Sequence, residues 1–146
     1  MEIVKIYLAG AMGGLTFEEQ LGWRKQVEEA LKYGDYSYYK KPIFFSPPEY
    51  YTQVDCEPEL KAQLEREAMI FDLDKVRKSD LIVANLEKNS IGTYMEMAVA
   101  FENRIPIIGL NRKWDVEIHP WLKESCIRIF TSLLDLVEYI CDFYLN

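Results

Sequence analysis

Residues 89–101, NSIGTYMEMAVAF, place a glutamate one turn into an otherwise apolar helix start. Two uses of Glu96 fit this spacing. Thr93-x-x-Glu96 has the form of a capping box, in which the carboxylate returns to the N-cap amide. The other use is chemical, an acid beside a glycine-opened loop that faces a pocket. Ser90 and the amides of Gly92 and Thr93 lie at the same helix N-terminus, a favourable place for an anion or a hydroxyl. Ser90 as a plain N-cap is the competing reading. The spacing alone does not choose.

Other reactive groups are few. His119 precedes Pro120 and Trp121 in a loop, with no second histidine in the chain. Metal binding and Ser-His-Asp or Cys-His devices are therefore poorly supported, and neither a metal nor an organic cofactor is expected. Cys56, Cys126 and Cys141 are widely spaced with no C-x-x-C, as for buried thiols in a reducing cytoplasm. What remains is carboxylates and tyrosines. A carboxylate nucleophile suits an anomeric carbon with oxocarbenium character, where it forms a covalent glycosyl-enzyme while a second group assists the leaving base.

The chain around these residues has 146 positions, enough for one domain over 1–146. Its 49% apolar and 28% charged residues are those of a globular protein. A net charge of -7 argues against a nucleic-acid polymer, which needs a basic face, but not against a single nucleoside or nucleotide. The N-terminus enters a strand-like run at once and no apolar stretch is long enough for a membrane, so a cytoplasmic protein is expected.

Strands and helices alternate. IVKIYLAG (3–10) reads as a first strand, AMGG as a turn, and Thr16 with Glu19 as a capping box opening a helix to Tyr33. Phe17, Leu21, Val27 and Leu31, with Ala30, supply its apolar spacing. PIFFS (42–46) is the second strand, stopped by Pro47 and Pro48. EYYTQVDCE (49–57) reads as loop, and a helix starts at Pro58 through Leu60, Leu64 and Ala68. Residues 71–79 either extend it or restart it with Asp72 as N-cap; the restart is the expectation. DLIVANL (80–86) has the unalternating apolar run of a strand buried on both faces. The Glu96 helix, strands at 105–110 and 127–130, and a last helix capped by Thr131 follow. The expected fold is α/β, a flavodoxin-like five-stranded parallel sheet in the order 2-1-3-4-5 with helices on both faces. Ligands in such sheets bind beyond the strand carboxyl ends at the switch point, here between strands one and three. That brings together the GAMGG turn and the loop leading to Glu96. GAMGGL fits neither the P-loop nor the G-x-G-x-x-G pattern. It is either a tight turn or a place for close ligand approach. Arg24 reads as a solvated helix charge and Trp23 as packing.

KIYLAGAMGGL, WRKQV, FDLDKVRKSDLIVANL and SIGTYMEMAVAFENRIPIIGL, in this order, resemble the nucleoside 2-deoxyribosyltransferase family over residues 3–110. The resemblance implies a homodimer or larger assembly that cleaves the bond between base and (deoxy)ribose of a small-molecule substrate. It implies Glu96 as nucleophile, Asp72 as the acid contacting the departing base, Tyr7 as the tyrosine orienting the nucleophile, and Gly10 as pocket lining. Ser90 would match the position reading the sugar 5′ end. Nucleoside-using members tend to hold aspartate there, and the branch hydrolysing 5′-monophosphates a serine. That branch can carry a first-loop arginine for phosphate, where this chain has Gly13. The loop 111–121, with His119, is the candidate to complete a neighbour's pocket. A non-catalytic nucleotide-binding domain is the alternative from another class, since this fold hosts both.

Overall fold

The computed structural model describes residues 2–49 and 58–146, with only the backbone at Pro58. Most of the expected 49–57 loop, and Cys56, lie outside the described residues. The elements are β1 (Ile3–Ala9), α1 (Phe17–Tyr33), β2 (Lys41–Phe45), α2 (Pro58–Arg77), β3 (Leu81–Asn85), α3 (Ile91–Glu102), β4 (Ile107–Leu110), α4 (Pro120–Ser125), β5 (Arg128–Phe130) and α5 (Leu133–Ile140). A 3₁₀ turn follows β2 at Pro47–Glu49, and a π-helical turn, Cys141–Leu145, follows α5. All strand pairs are parallel, in the order β2-β1-β3-β4-β5. This is the expected architecture.

Strand alternation divides the core in two. Val4, Ile6, Leu8, Leu81, Val83, Ile108 and Leu110 point to one face, under Trp23, Val27 and Leu31 of α1 and Leu136, Val137 and Ile140 of α5. Tyr7, Ala9, Ile82, Ala84 and Ile107 point to the other, under Val76 of α2 and Met97 and Ala100 of α3. Both faces of β3 are covered, which is why its sequence lacks polar alternation. Burying each of Ile6, Leu8, Ile82 and Ile108 completely contributes roughly 1.5–3 kcal/mol. Asp80 starts β3 by bonding β1 on both sides. Its amide donates to Lys5 O and its Oδ2 accepts from Lys5 N, each at 2.8 Å.

Four local expectations are corrected. α2 runs without a break to Arg77, so Asp72 lies inside it and caps nothing. The N-cap of α5 is Ser132, whose side chain accepts from the Asp135 amide, and not Thr131. A short α4, capped by His119, occupies part of the expected 111–121 loop. In α1 the buried stripe is Gln20, Trp23, Arg24, Val27, Glu28 and Leu31, while Phe17 is exposed. Apolar spacing misread this helix because three of its inward positions are polar.

Candidate active site

The first loop is built by polar residues that α1 turns inward. The Thr16–Glu19 capping box is present in both directions, with the Thr16 amide on Glu19 Oε1 at 3.0 Å and the Glu19 amide on Thr16 Oγ1 at 3.2 Å. One turn on, the Gln20 side-chain Nε2 donates to Met12 O (2.9 Å) and Leu15 O (3.1 Å), satisfying carbonyls the turn leaves open. Gly14 sits at φ +75, where a side chain is strained. Gly10 is required for a different reason. A Cβ there would stand 2.7 Å from Trp23 Cζ2, so β1 and α1 meet with no room for a methyl group.

The second loop delivers Glu96. Asn85 Oδ1 accepts from the Glu87 amide at 2.9 Å, and Glu87 pairs with Arg112 at 2.7 Å, which ties the β3 exit to the β4 exit. Ser90 is the N-cap of α3, its Oγ accepting from the Thr93 amide at 3.3 Å. Thr93 is therefore the third helical residue and not the cap, and the Thr93–Glu96 capping box does not form. Glu96 lies a turn further in, on the same side as buried Thr93, and its carboxyl turns toward β1.

There it meets Tyr7 and Asp72. Burial, reinforced by the Asp72 charge, raises the Glu96 carboxyl to about 7, while Tyr7 and the Arg24 guanidinium pull it down. Neither Tyr7 Oη nor Glu96 Oε2 closes a hydrogen bond of ordinary geometry among the described residues. Tyr7 has no exposed surface, and burial followed by the Glu96 and Asp72 charges holds its phenol well above the usual tyrosine range. Asp72 reaches this group although α2 is continuous. A continuous helix suggests that Asp72 sits toward the far end of the sheet, but the strands are staggered. Tyr7, fifth in β1, pairs with Ile82, second in β3. Asp72 is five residues before the end of α2, roughly 7–8 Å along the helix from its carboxyl end, where its charge acts on both Tyr7 and Glu96.

Glu96, Tyr7 and Asp72 thus converge, with Gly10 and Ser90 on the two loops of the switch point. His119 does not join them. It is exposed, and its Nδ1 accepts from the Trp121 amide at 3.2 Å as the cap of α4.

Sequence reasoning missed three features. Arg24 is fully buried, which corrects its reading as a solvated charge. Phe45 stacks on Tyr7 with centroids 5.2 Å apart, and Phe71 tilts against Phe45 at 5.8 Å, making an aromatic wall beside Asp72. Ser46 and Thr93 carry buried hydroxyls that close no hydrogen bond among the described residues. The signal for Arg24 was its spacing from Gln20, Val27 and Leu31, and no sequence signal marked the aromatic wall. An open groove at the other end of the sheet is lined by Arg104, Ile105, Glu124 and Cys126, and none of Tyr7, Ser46, Thr93 or Glu96 lines it. Cys126 and Cys141 are free thiols that burial pushes up to about 11. Among the described residues no helix is long and apolar enough to cross a membrane.

No sequence-family model matches the chain, and no curated protein sequence does. Solved structures do. A 2-deoxyribosyltransferase of Bacillus psychrosaccharolyticus superposes with a TM-score of 0.69 at 17% identity, over 93% of this chain and 92% of its own. A 2-desoxiribosyltransferase of Leishmania mexicana gives 0.61 at 16%, over 97% and 99%. A conserved protein from Enterococcus faecalis V583 gives 0.61 at 20%, over 94% and 97%. Over nearly its whole length, the chain has the fold seen in the 2-deoxyribosyltransferases.

Proposed function

We propose that this protein cleaves the N-glycosidic bond of a (deoxy)nucleoside, or of its 5′-monophosphate, through a covalent glycosyl–Glu96 intermediate. The observation that carries the reading is the meeting of Glu96 with Tyr7 and Asp72 at the switch point, the Tyr7 hydroxyl and one Glu96 oxygen being buried without an ordinary hydrogen bond among the described residues. In the first step a Glu96 oxygen bonds to the anomeric carbon and the bond to the base nitrogen breaks. The electron pair leaves with the base, to which Asp72 donates a proton or a hydrogen bond. In the second step a nitrogen of another base, or water, attacks the same carbon, its proton passes to the Asp72 carboxylate left by the first step, and Glu96 departs as a carboxylate. Tyr7 orients the nucleophile. The Phe45–Phe71 wall beside Asp72 suits an aromatic base.

Only ionised Glu96 attacks, so a carboxyl at about 7 is half competent at neutral pH. Hydrolysis of a 5′-monophosphate is the second reading, and Ser90 favours it. A hydroxyl beside the α3 amides accommodates a phosphate that an aspartate would repel. We further propose that the protein works as a homodimer or larger assembly in the cytoplasm, with the 111–121 segment and His119 approaching a neighbour's site. A fully active monomer at assay concentration counts against the shared site.

The test is incubation with a panel of deoxynucleosides, ribonucleosides and their monophosphates, with and without an acceptor base, reading free base and exchanged product. Turnover that vanishes in Glu96→Gln supports the enzyme. Saturable binding without turnover supports the nucleotide-binding alternative, and turnover retained in Glu96→Gln rules out the mechanism.

A further inference from the structure

Arg24 has no exposed surface. Its Nε donates to Leu8 O at 3.2 Å and its Nη2 to Gly10 O at 2.9 Å, and Nη1 donates back to Gln20 O. All three acceptors are neutral carbonyls, and no carboxylate lies within ion-pair distance of it among the described residues. A buried charge without a paired partner is costly, and a structural staple does not need one. Gln20, one turn earlier, shows that a neutral amide satisfies two loop carbonyls in the same setting.

The groups that act on Arg24 are those of the site. Glu96 from α3, Tyr7 from β1 and Asp72 from α2 each favour its charged form, against burial that lowers it to about 10. The same groups, seen from Glu96, are Tyr7, Asp72 and Arg24. α4, which also packs on α3, adds no charge that acts on Glu96 among the described residues.

We propose that Arg24 is the electrostatic positioning residue of this site, its forked guanidinium pinning the first loop through Leu8 and Gly10 while its buried charge holds Glu96 as a carboxylate beside Asp72. This rests on the reading of Glu96 as nucleophile. An arginine suits both tasks because its planar fork spans two carbonyls and it stays charged when buried. The charge has a further consequence in the second step. When the acceptor attacks the anomeric carbon, the electron pair of the carbon–oxygen bond returns to Glu96, and Arg24 stabilises the carboxylate that leaves. Without that charge Glu96 is a poorer leaving group, and the glycosyl-enzyme accumulates.

The experiment follows the Glu96 carboxyl by carbon NMR in protein labelled at glutamate, the resonance assigned by its loss in Glu96→Gln. No substrate is needed, so a failure of the enzymatic reading, no turnover with any nucleoside, is separate from a failure of this one. The wild-type midpoint is expected near 7. Arg24→Met should raise it by about one unit or more, since the buried Arg24 charge favours the carboxylate against burial and the Asp72 charge. Arg24→Gln keeps a donor for the loop carbonyls without the charge, and serves if the methionine variant does not fold. Arg24→Lys should bring the midpoint back toward the wild type. With substrate, intact-mass measurement should show more glycosyl-enzyme in the neutral variant than in the wild type at pH 9. A folded neutral variant with an unmoved midpoint overturns the proposal and leaves Arg24 as a loop staple.

Discussion

Tyr7→Phe separates the chemistry of the site from its packing. The ring stays in its stack with Phe45 at 5.2 Å, so only the hydroxyl is lost. That hydroxyl faces Glu96 and favours its ionised form. Hydrogen bonds to charged groups are worth about 1.5–3 kcal/mol. The Tyr7 hydroxyl does not close one of ordinary geometry, so the lower end applies. At 1.36 kcal/mol per unit this raises the Glu96 midpoint by about one unit. A midpoint near 7 then moves to about 8, and the ionised fraction at pH 7 falls from about one half to about one tenth. The assay is kcat/KM for release of free base between pH 5 and 10. The expected result is a loss of about fivefold at pH 7 that largely recovers by pH 9, with the acid limb displaced upward. Stability at pH 5, where Glu96 is protonated, should change little, because the hydroxyl closes no ordinary hydrogen bond among the described residues. A Tyr7→Phe enzyme whose acid limb coincides with the wild type would refute the role of the hydroxyl, and a pH-independent loss would point to misplacement of the ring.

Glu96→Gln should abolish turnover and also change how stability depends on pH. The folded Glu96 carboxyl titrates at about 7 against the usual 4.5, so between those values the folded state holds the extra proton and wild-type stability falls as pH rises. The variant should match the wild type near pH 4 and exceed it by up to about 3 kcal/mol at pH 8 in urea melts; a pH-independent difference would contradict the buried carboxyl. Ser90→Asp keeps an N-cap for α3, since aspartate caps as well as serine. It should cut turnover of a 5′-monophosphate relative to its nucleoside by at least about tenfold, or about 1.4 kcal/mol, and an unchanged ratio leaves Ser90 as a cap alone. Gly10→Ala puts a methyl group 2.7 Å from Trp23 Cζ2 and should cost about 1–3 kcal/mol by thermal or urea unfolding. Adding Trp23→Leu should recover part of that loss, and independent effects of the two changes would dissociate Gly10 from the indole.

The order of the elements was legible because it is written in short-range patterns. The unalternating run 80–86 could only be a strand covered on both faces, and five such strands alternating with helices leave few right-handed parallel topologies. From that order alone the switch point followed, and with it the pairing of the Gly10 turn with the loop before Glu96. The Thr16–Glu19 capping box was legible for the same reason, being a contact across three residues. The residues misread are those whose role depends on distant backbone. Thr93 and Glu96 have capping-box spacing, but Ser90 had already taken the cap, which freed Glu96 to face Tyr7. The level of Asp72 was set by the stagger of β1 against β3, a register that no local pattern encodes. Arg24 looked like a surface charge because hydropathy scores a side chain by its usual solvent, whereas its place was decided by the open carbonyls of Leu8 and Gly10 at the end of another element. Sequence determined the order of the five strands and so which loops share the switch point. Tertiary structure decided which polar groups are deprived of water there, and desolvation is what brings the Glu96 carboxyl close to neutral pH.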